Sequence, residues 1–349
     1  MSKFAENRYM ILVTGGSGLL GSHLILQLCQ AGHRVRVLKR PSTDEGSLRR
    51  IFSYYSNNAE YLLSLVEWKE AALDNIYSLL EALEGITEIY HCAAMVSFEK
   101  KKHAQMLQVN VEGTANLVNA ALEKGIRKFC HVSSIAALGR TEHGEPVDET
   151  IFWKSSPSNS VYSISKYGAE REVWRASEEG LDVIIVNPSL VIGPGSWTES
   201  TCNMFSRGYE GIRHYTKGTT GFVDVRDVAT LMIRLMQSTH VNERYIISGE
   251  NNSYKLFFDE MHKNFGKKLP ASYAGPFLSD LAWRVESVRC AITGKAPLIT
   301  RETARAAQSN TVFSNEKIKK AFPDFKFRSL EESVRHTCKI FLADISARS

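Results

Sequence analysis

From Tyr9 to Val186, short apolar runs alternate with longer stretches whose apolar residues recur every three or four positions. The first pattern belongs to buried strands, the second to helices that pack by one face. Tyr9–Thr14, Val35–Leu38, a weak run near Val66, Glu88–Ala93, Lys128–Ser133 and Asp182–Val186 read as strands. Between them Leu19–Ala31, a charged stretch around Asp44–Leu65, Ile76–Leu83, Met106–Lys124 and Tyr162–Glu179 read as helices. Gly32, Gly85, Gly125 and Gly180 mark helix ends. Such alternation demands right-handed crossovers and hence a doubly wound parallel sheet.

Beyond Pro188 the pattern loosens. Gly193-Pro194-Gly195 is a loop, and Phe222–Val225 and Arg244–Ile247 predict two further strands around a helix at Asp227–Gln237. From Ser253 onward the chain reads as mostly helical, with N-cap candidates at Ser253, Thr300, Ser314 and Ser329. The expected fold class is therefore α/β. Residues 8–190 and about 222–248 form the sheet domain, and 191–221 with 249–349 form a smaller, mostly helical domain.

Composition narrows the field. With 349 residues, 43% hydrophobic and 23% charged, the chain is neither disordered nor fibrous. No apolar run approaches the roughly 20 residues of a membrane span, and the polar stretch Met1–Arg8 leaves no room for a signal peptide, so a cytoplasmic protein is expected. The six cysteines are dispersed without a C-x-x-C pair and read as isolated buried thiols. The formal charge of +5 is mild, and its one tight basic run, Lys100–Lys102, is no footprint for nucleic acid. His91 and His131 lie on core strands with no third ligand nearby, so they read as core histidines and no metal is expected. Trp283, Val285, Val288 and Ile292 recur at helical spacing. That stripe can pack on its own domain, on a second subunit (a homodimer stays open) or on a membrane surface.

Two segments carry chemistry. Gly15-Gly16-Ser17-Gly18-Leu19-Leu20-Gly21 joins the first strand to the first helix and satisfies both G-x-x-G-x-x-G and G-x-G-x-x-G. Glycine there permits a sharp turn and close backbone approach to a pyrophosphate, which the helix N-terminus attracts. At the end of the second strand stands Lys39-Arg40 where an acid would hold the ribose of NAD; Arg40 suits a 2′-phosphate, so NADP(H) is favoured while NAD(H) stays open. The second segment places Tyr162 and Lys166 four residues apart on one helix face, one strand–helix unit after Ser133-Ser134. A lysine ammonium and a nicotinamide cation pull a phenol toward the working pH, and Ser134 can share the substrate oxygen with it.

With these motifs in order, the chain resembles the extended short-chain dehydrogenase/reductase family, also called the NAD-dependent epimerase/dehydratase family. The likeness runs from Tyr9 to about Leu342. It rests also on His91-Cys92-Ala93-Ala94, Asn110–Thr114, Asn187-Pro188 and Phe222–Ala229. The resemblance implies a Rossmann-type fold, with Ser134, Tyr162 and Lys166 catalytic. It implies cofactor contacts at Gly15, Gly18, Leu19, Leu20, Gly21, Arg40, Ala93, Ala94, Tyr162, Lys166, Pro188 and Val191. Substrate contacts are expected at Met95, Ser97, Ser134, Tyr162 and Asn187, with Val96 and Phe98 beside them.

Within the family, sugar-nucleotide members carry an Arg near the position of Thr220, an Asn at that of Leu190 and, in dehydratases, an acid pair where Ile135 and Ala136 stand. None of these substitutes can clamp a diphosphate or move a proton. Val35–Ser42, Ile89–Phe98 and Pro188–Gly195 look instead like the dihydroflavonol-reductase branch, although the usual adenine-side Asp gives way to Ala71-Ala72. The expectation is an NADP(H)-dependent oxidoreductase for a small, moderately apolar carbonyl or secondary alcohol. A nucleoside-diphosphate-sugar epimerase is the alternative.

Overall fold

The computed structural model describes residues 10–97, 99–141, 144–293 and 300–347, with only the backbone at Ala291 and Ile292. Seven strands form one fully parallel sheet: β1 (Met10–Thr14), β2 (Val35–Lys39), β3 (Val66–Glu70), β4 (Ile86–His91), β5 (Lys128–Val132), β6 (Asp182–Pro188) and, far downstream, Glu243–Ile247. Three strands make a separate small sheet: β7 (Leu190–Ile192), β8 (Thr219–Asp224) and β10 (Glu250–Ser253), so Glu243–Ile247 is β9. The order of the large sheet is β9-β6-β5-β4-β1-β2-β3. The chain moves outward from β1 through β2 and β3, then returns to β4 on the other side. The strand order thus reverses between β1 and β4, where a crevice opens at the carboxyl ends of the strands.

Alternate strand residues face opposite sides, and both sides are covered, as a parallel sheet requires. Ile11, Val13, Ile184 and Val186 pack on helices α1 (Leu19–Gln30) and α5 (Val225–Gln237) through Leu24, Leu28, Leu231 and Leu235. Leu12, Phe129, Val183 and Ile185 pack on α3 (Gly113–Glu123) and α4 (Val161–Glu178) through Leu117, Ala121 and Val173. A third core, with Phe205, Phe222, Phe257, Met261, Val334 and Phe341, joins β7 and β8 to α6 (Tyr254–Asn264) and α8 (Leu330–Ser346).

Three expectations need correction. Phe222–Val225 does not return to the large sheet. Its strand pairs with β7 and β10, because Phe222 is drawn into the aromatic cluster with Phe257. Only β9 rejoins, parallel to β6. The stretch 44–65 splits at residues 56–58 into α2 (Gly46–Tyr55) and a short helix at Ala59–Leu63. The helix expected over Met106–Lys124 is interrupted by a π turn at Gln108–Glu112, which swings Asn110 inward. Among the N-caps, Ser253, Thr300 and Ser329 accept the expected backbone N–H, whereas Asn315 takes the place foreseen for Ser314.

Candidate active site

The crevice between β1 and β4 is lined first by the glycine loop. Gly15 has φ +69°, and a Cβ on it would lie 2.6 Å from the Ala93 backbone nitrogen. A Cβ on Gly21 would lie 2.3 Å from the Gly15 carbonyl oxygen. Both positions therefore need glycine, and Gly18 donates its N–H to Gly15 O at 3.0 Å to close the turn. Helix α1 begins at Leu19 with no side-chain cap and no acid in its first turn. Its first N–H groups, including those of Leu19 and Leu20, are left to an anion. A cleft opens there, lined by Ser17, Gly18, Ser22, Arg50, Gly195 and Glu199 among others. These features fit the diphosphate of a dinucleotide.

At the tip of β2 the two basic residues part company. Lys39 pairs with Glu45 at 2.5 Å. Arg40 is exposed; its backbone closes a turn with Thr43, and its guanidinium has no ion-pair partner among the described residues.

On the other wall, β4 ends in His91, whose ring bridges Thr14 Oγ1 at 2.7 Å and Thr114 Oγ1 at 3.0 Å. Burial lowers its pKa to about 3, so the ring is neutral and structural. His131, 5.3 Å away between ring centroids, is equally buried, yet neither ring nitrogen has a hydrogen-bond partner among the described residues. It is not the satisfied core histidine expected. Among the described residues, no three His, Cys, Asp or Glu side chains converge as a metal site would require.

After His91 the loop carries Ala93, Ala94, Met95 and Ser97, all half-buried, along the mouth of the crevice. Phe98 lies outside the described residues. Asn110 staples this loop. Its Oδ1 accepts from Met95 N at 2.7 Å, while its Nδ2 donates to Met95 O at 2.9 Å and Ser165 Oγ at 3.0 Å. The motif containing Asn110 was visible in the sequence, but its part in the site depends on the π turn.

The expected trio comes together. Ser134 follows β5 and accepts from Ala136 N, while its side chain stands beside the Tyr162 phenol in the first turn of α4. Ser160 caps that helix by accepting from Ser163 N at 3.1 Å, which fixes the entry angle of Tyr162. Burial raises the Tyr162 pKa, and the neighbouring Ser134 hydroxyl opposes the rise. One turn on, Lys166 is 4% exposed and donates to Val132 O at 2.9 Å. Burial lowers its pKa from 10.5 to about 8, with Cys92 and Glu170 acting in the opposite direction.

A buried carboxylate beneath the trio escaped sequence reasoning. Glu170, 2% exposed, accepts from Ser133 Oγ at 2.6 Å, Asn187 Nδ2 at 2.9 Å and Arg244 Nη1 at 3.1 Å. Asn187 also donates to Ser134 O at 3.0 Å and has no exposed surface. Its expected place as a substrate contact is thus corrected. Buried behind Ser134, it braces that residue from β6. Pro188 is buried on the same strand, and Val191 is half-buried on β7. Helical spacing could have flagged Glu170 as lying on the face of Lys166, but no local pattern names Arg244 as its partner.

Comparison with known proteins agrees with this geometry. Residues 11–248 match the NAD dependent epimerase/dehydratase family. The chain is similar to sterol demethylase protein B of Methylococcus capsulatus, at 32% identity over 69% of this chain and 70% of that one. It is similar to a Synechocystis protein named putative dihydroflavonol 4-reductase, at 28% identity over 87% of each chain. The crystal structure of gox2253 superposes with a TM-score of 0.79 at 32% identity, covering 96% of this chain and 98% of that one.

Proposed function

The chain belongs to the NAD dependent epimerase/dehydratase family, and from that premise we propose that it is an NADP(H)-dependent carbonyl reductase acting on a small, moderately apolar substrate. The observation that carries this reading is the juxtaposition of the Ser134 hydroxyl and the Tyr162 phenol, with a buried Lys166 one helical turn on. A bound dinucleotide would supply the hydride.

The chain's own residues do the rest. Ser134 and Tyr162 hold the carbonyl oxygen by two hydrogen bonds, and Tyr162 gives its proton to that oxygen as negative charge develops. Lys166, held cationic below about pH 8, favours the phenolate that results. The N-terminus of α1 holds the diphosphate, and Arg40, free of carboxylate partners among the described residues, takes a 2′-phosphate. The half-buried apolar residues Met95 and Leu190, with exposed Val96 nearby, favour an apolar substrate. Thr220 stands where a diphosphate-clamping Arg would be needed, which weighs against the epimerase reading.

NADPH oxidation against a panel of aromatic and alicyclic ketones and aldehydes tests the proposal. Turnover is expected with several of them, and Tyr162→Phe is expected to lower kcat by about 10²–10⁴ while leaving NADPH affinity intact. Inertness across the panel, with UDP- or GDP-sugars interconverted instead, would overturn it.

A further inference from the structure

Helix α7 (Pro276–Thr293) is turned inside out relative to an ordinary surface helix. Its inward face carries Glu286, 9% exposed, together with half-buried Ser279, Ala282 and Trp283. Its outward face carries Phe277 at 84% exposure, Val285 at 61% and Val288 at 60%, with Leu278 and Leu281 between them. These five residues recur at helical spacing on one stripe. Tyr273 and Leu269, which precede the helix in the chain, are exposed as well. Ile292, which the sequence added to the stripe, has no described side chain. A contiguous apolar patch of this kind on a folded chain marks an interaction surface.

Charge indicates what covers it. Between Lys267 and Arg305 the sequence holds seven Lys or Arg and three Asp or Glu, so +4 of the chain's +5 sits in this one stretch. Arg284 borders the stripe on one side, pairs with Asp280 and remains 64% exposed. Arg289 borders it on the other side, paired with Glu286. Lys267, Lys268, Arg301 and Arg305 are exposed nearby in the chain. An apolar face with cationic borders fits a bilayer interface, where the stripe enters the acyl boundary and the long cationic side chains reach the headgroups.

We propose that α7 is a peripheral membrane-docking helix that lies on anionic phospholipid surfaces. No described helix is long and apolar enough to cross a membrane, and attachment by this face is reversible. The proposal is independent of the reaction catalysed.

Flotation of the full-length protein with vesicles of phosphatidylcholine alone, or of equimolar phosphatidylcholine and phosphatidylglycerol, tests it. Binding to the mixed vesicles is expected to exceed binding to neutral ones about tenfold and to fall in high salt. The double variant Phe277→Asp/Val285→Asp is expected to stay in solution while binding NADPH as the wild type does, which separates lost docking from lost folding. Failure of the wild type to float with anionic vesicles would overturn the proposal. So would a dimer in light scattering that the same double variant dissociates, since the stripe would then be a subunit interface.

Discussion

Two walls face each other across the crevice, and they are built on opposite electrostatic terms. On the β5–α4 wall the charged and polar groups are buried and mostly tied to one another. Glu170 gathers Ser133, Asn187 and Arg244, and Lys166 is fastened to the Val132 carbonyl. On the β2–α2 edge the groups are exposed, with Lys39 spent on Glu45 and Arg40 left to solvent. A buried network holds atoms in place because leaving any member unpaired is costly. An exposed cation selects a ligand by charge but holds no geometry, and salt screens it.

The sharpest way to break this contrast is Glu170→Gln. Removing the charge leaves the Arg244 guanidinium, whose side chain is 16% exposed, without its carboxylate. A loss of about 3 kcal/mol in denaturant-monitored stability is expected. An exposed pair such as Arg49–Glu60, at 60% and 72% exposure, is expected to cost under about 1 kcal/mol when Glu60 is changed to Gln. Equal costs for the two variants would erase the distinction between the walls.

A pH series sharpens it next. Lys166 has its pKa lowered to about 8, so kcat/KM of the proposed reduction is expected to fall as pH rises through that value. The fall cannot be ascribed to unfolding on account of this group. The unfolded lysine titrates near 10.5, so between pH 8 and 10.5 the unfolded chain binds more protons, and this group adds stability as pH rises. A thermal-shift series beside the rate profile checks both signs.

The smallest effect belongs to the edge. Arg40→Ala is expected to weaken NADPH binding about tenfold in low salt and leave NADH binding unchanged, as read by nicotinamide fluorescence. Equal wild-type affinities for the two cofactors would remove the edge from any role in selection.

Legibility in the sequence follows the same division. The glycine loop, Ser134, and Tyr162 with Lys166 were legible because their chemistry requires particular residue types within a few positions of one another. Most strands through β6 were legible because they are bounded apolar runs, and β3, with the sequence Val-Glu-Trp-Lys-Glu, was the weak exception. Three features were not. The pairing of Glu170 with Arg244 spans 74 residues, which no periodicity encodes. The π turn at Gln108–Glu112 inserts a local irregularity into an otherwise helical pattern, and it alone turns Asn110 toward Met95. The assignment of Thr219–Asp224 to a second sheet depends on Phe222 meeting Phe257, a choice made by packing rather than by strand propensity.

The late arrival of β9 has a consequence for the way the chain is made. Strand β6 ends at Pro188, but its outer neighbour is not complete until Ile247 has been synthesised. At about 5–20 residues per second, the nascent sheet spends roughly 3–12 s with β6 as a bare edge. Its unpaired backbone is, for that interval, a template for another chain. The residues that later border the Ser134 site therefore pass through synthesis on an open edge of the growing sheet.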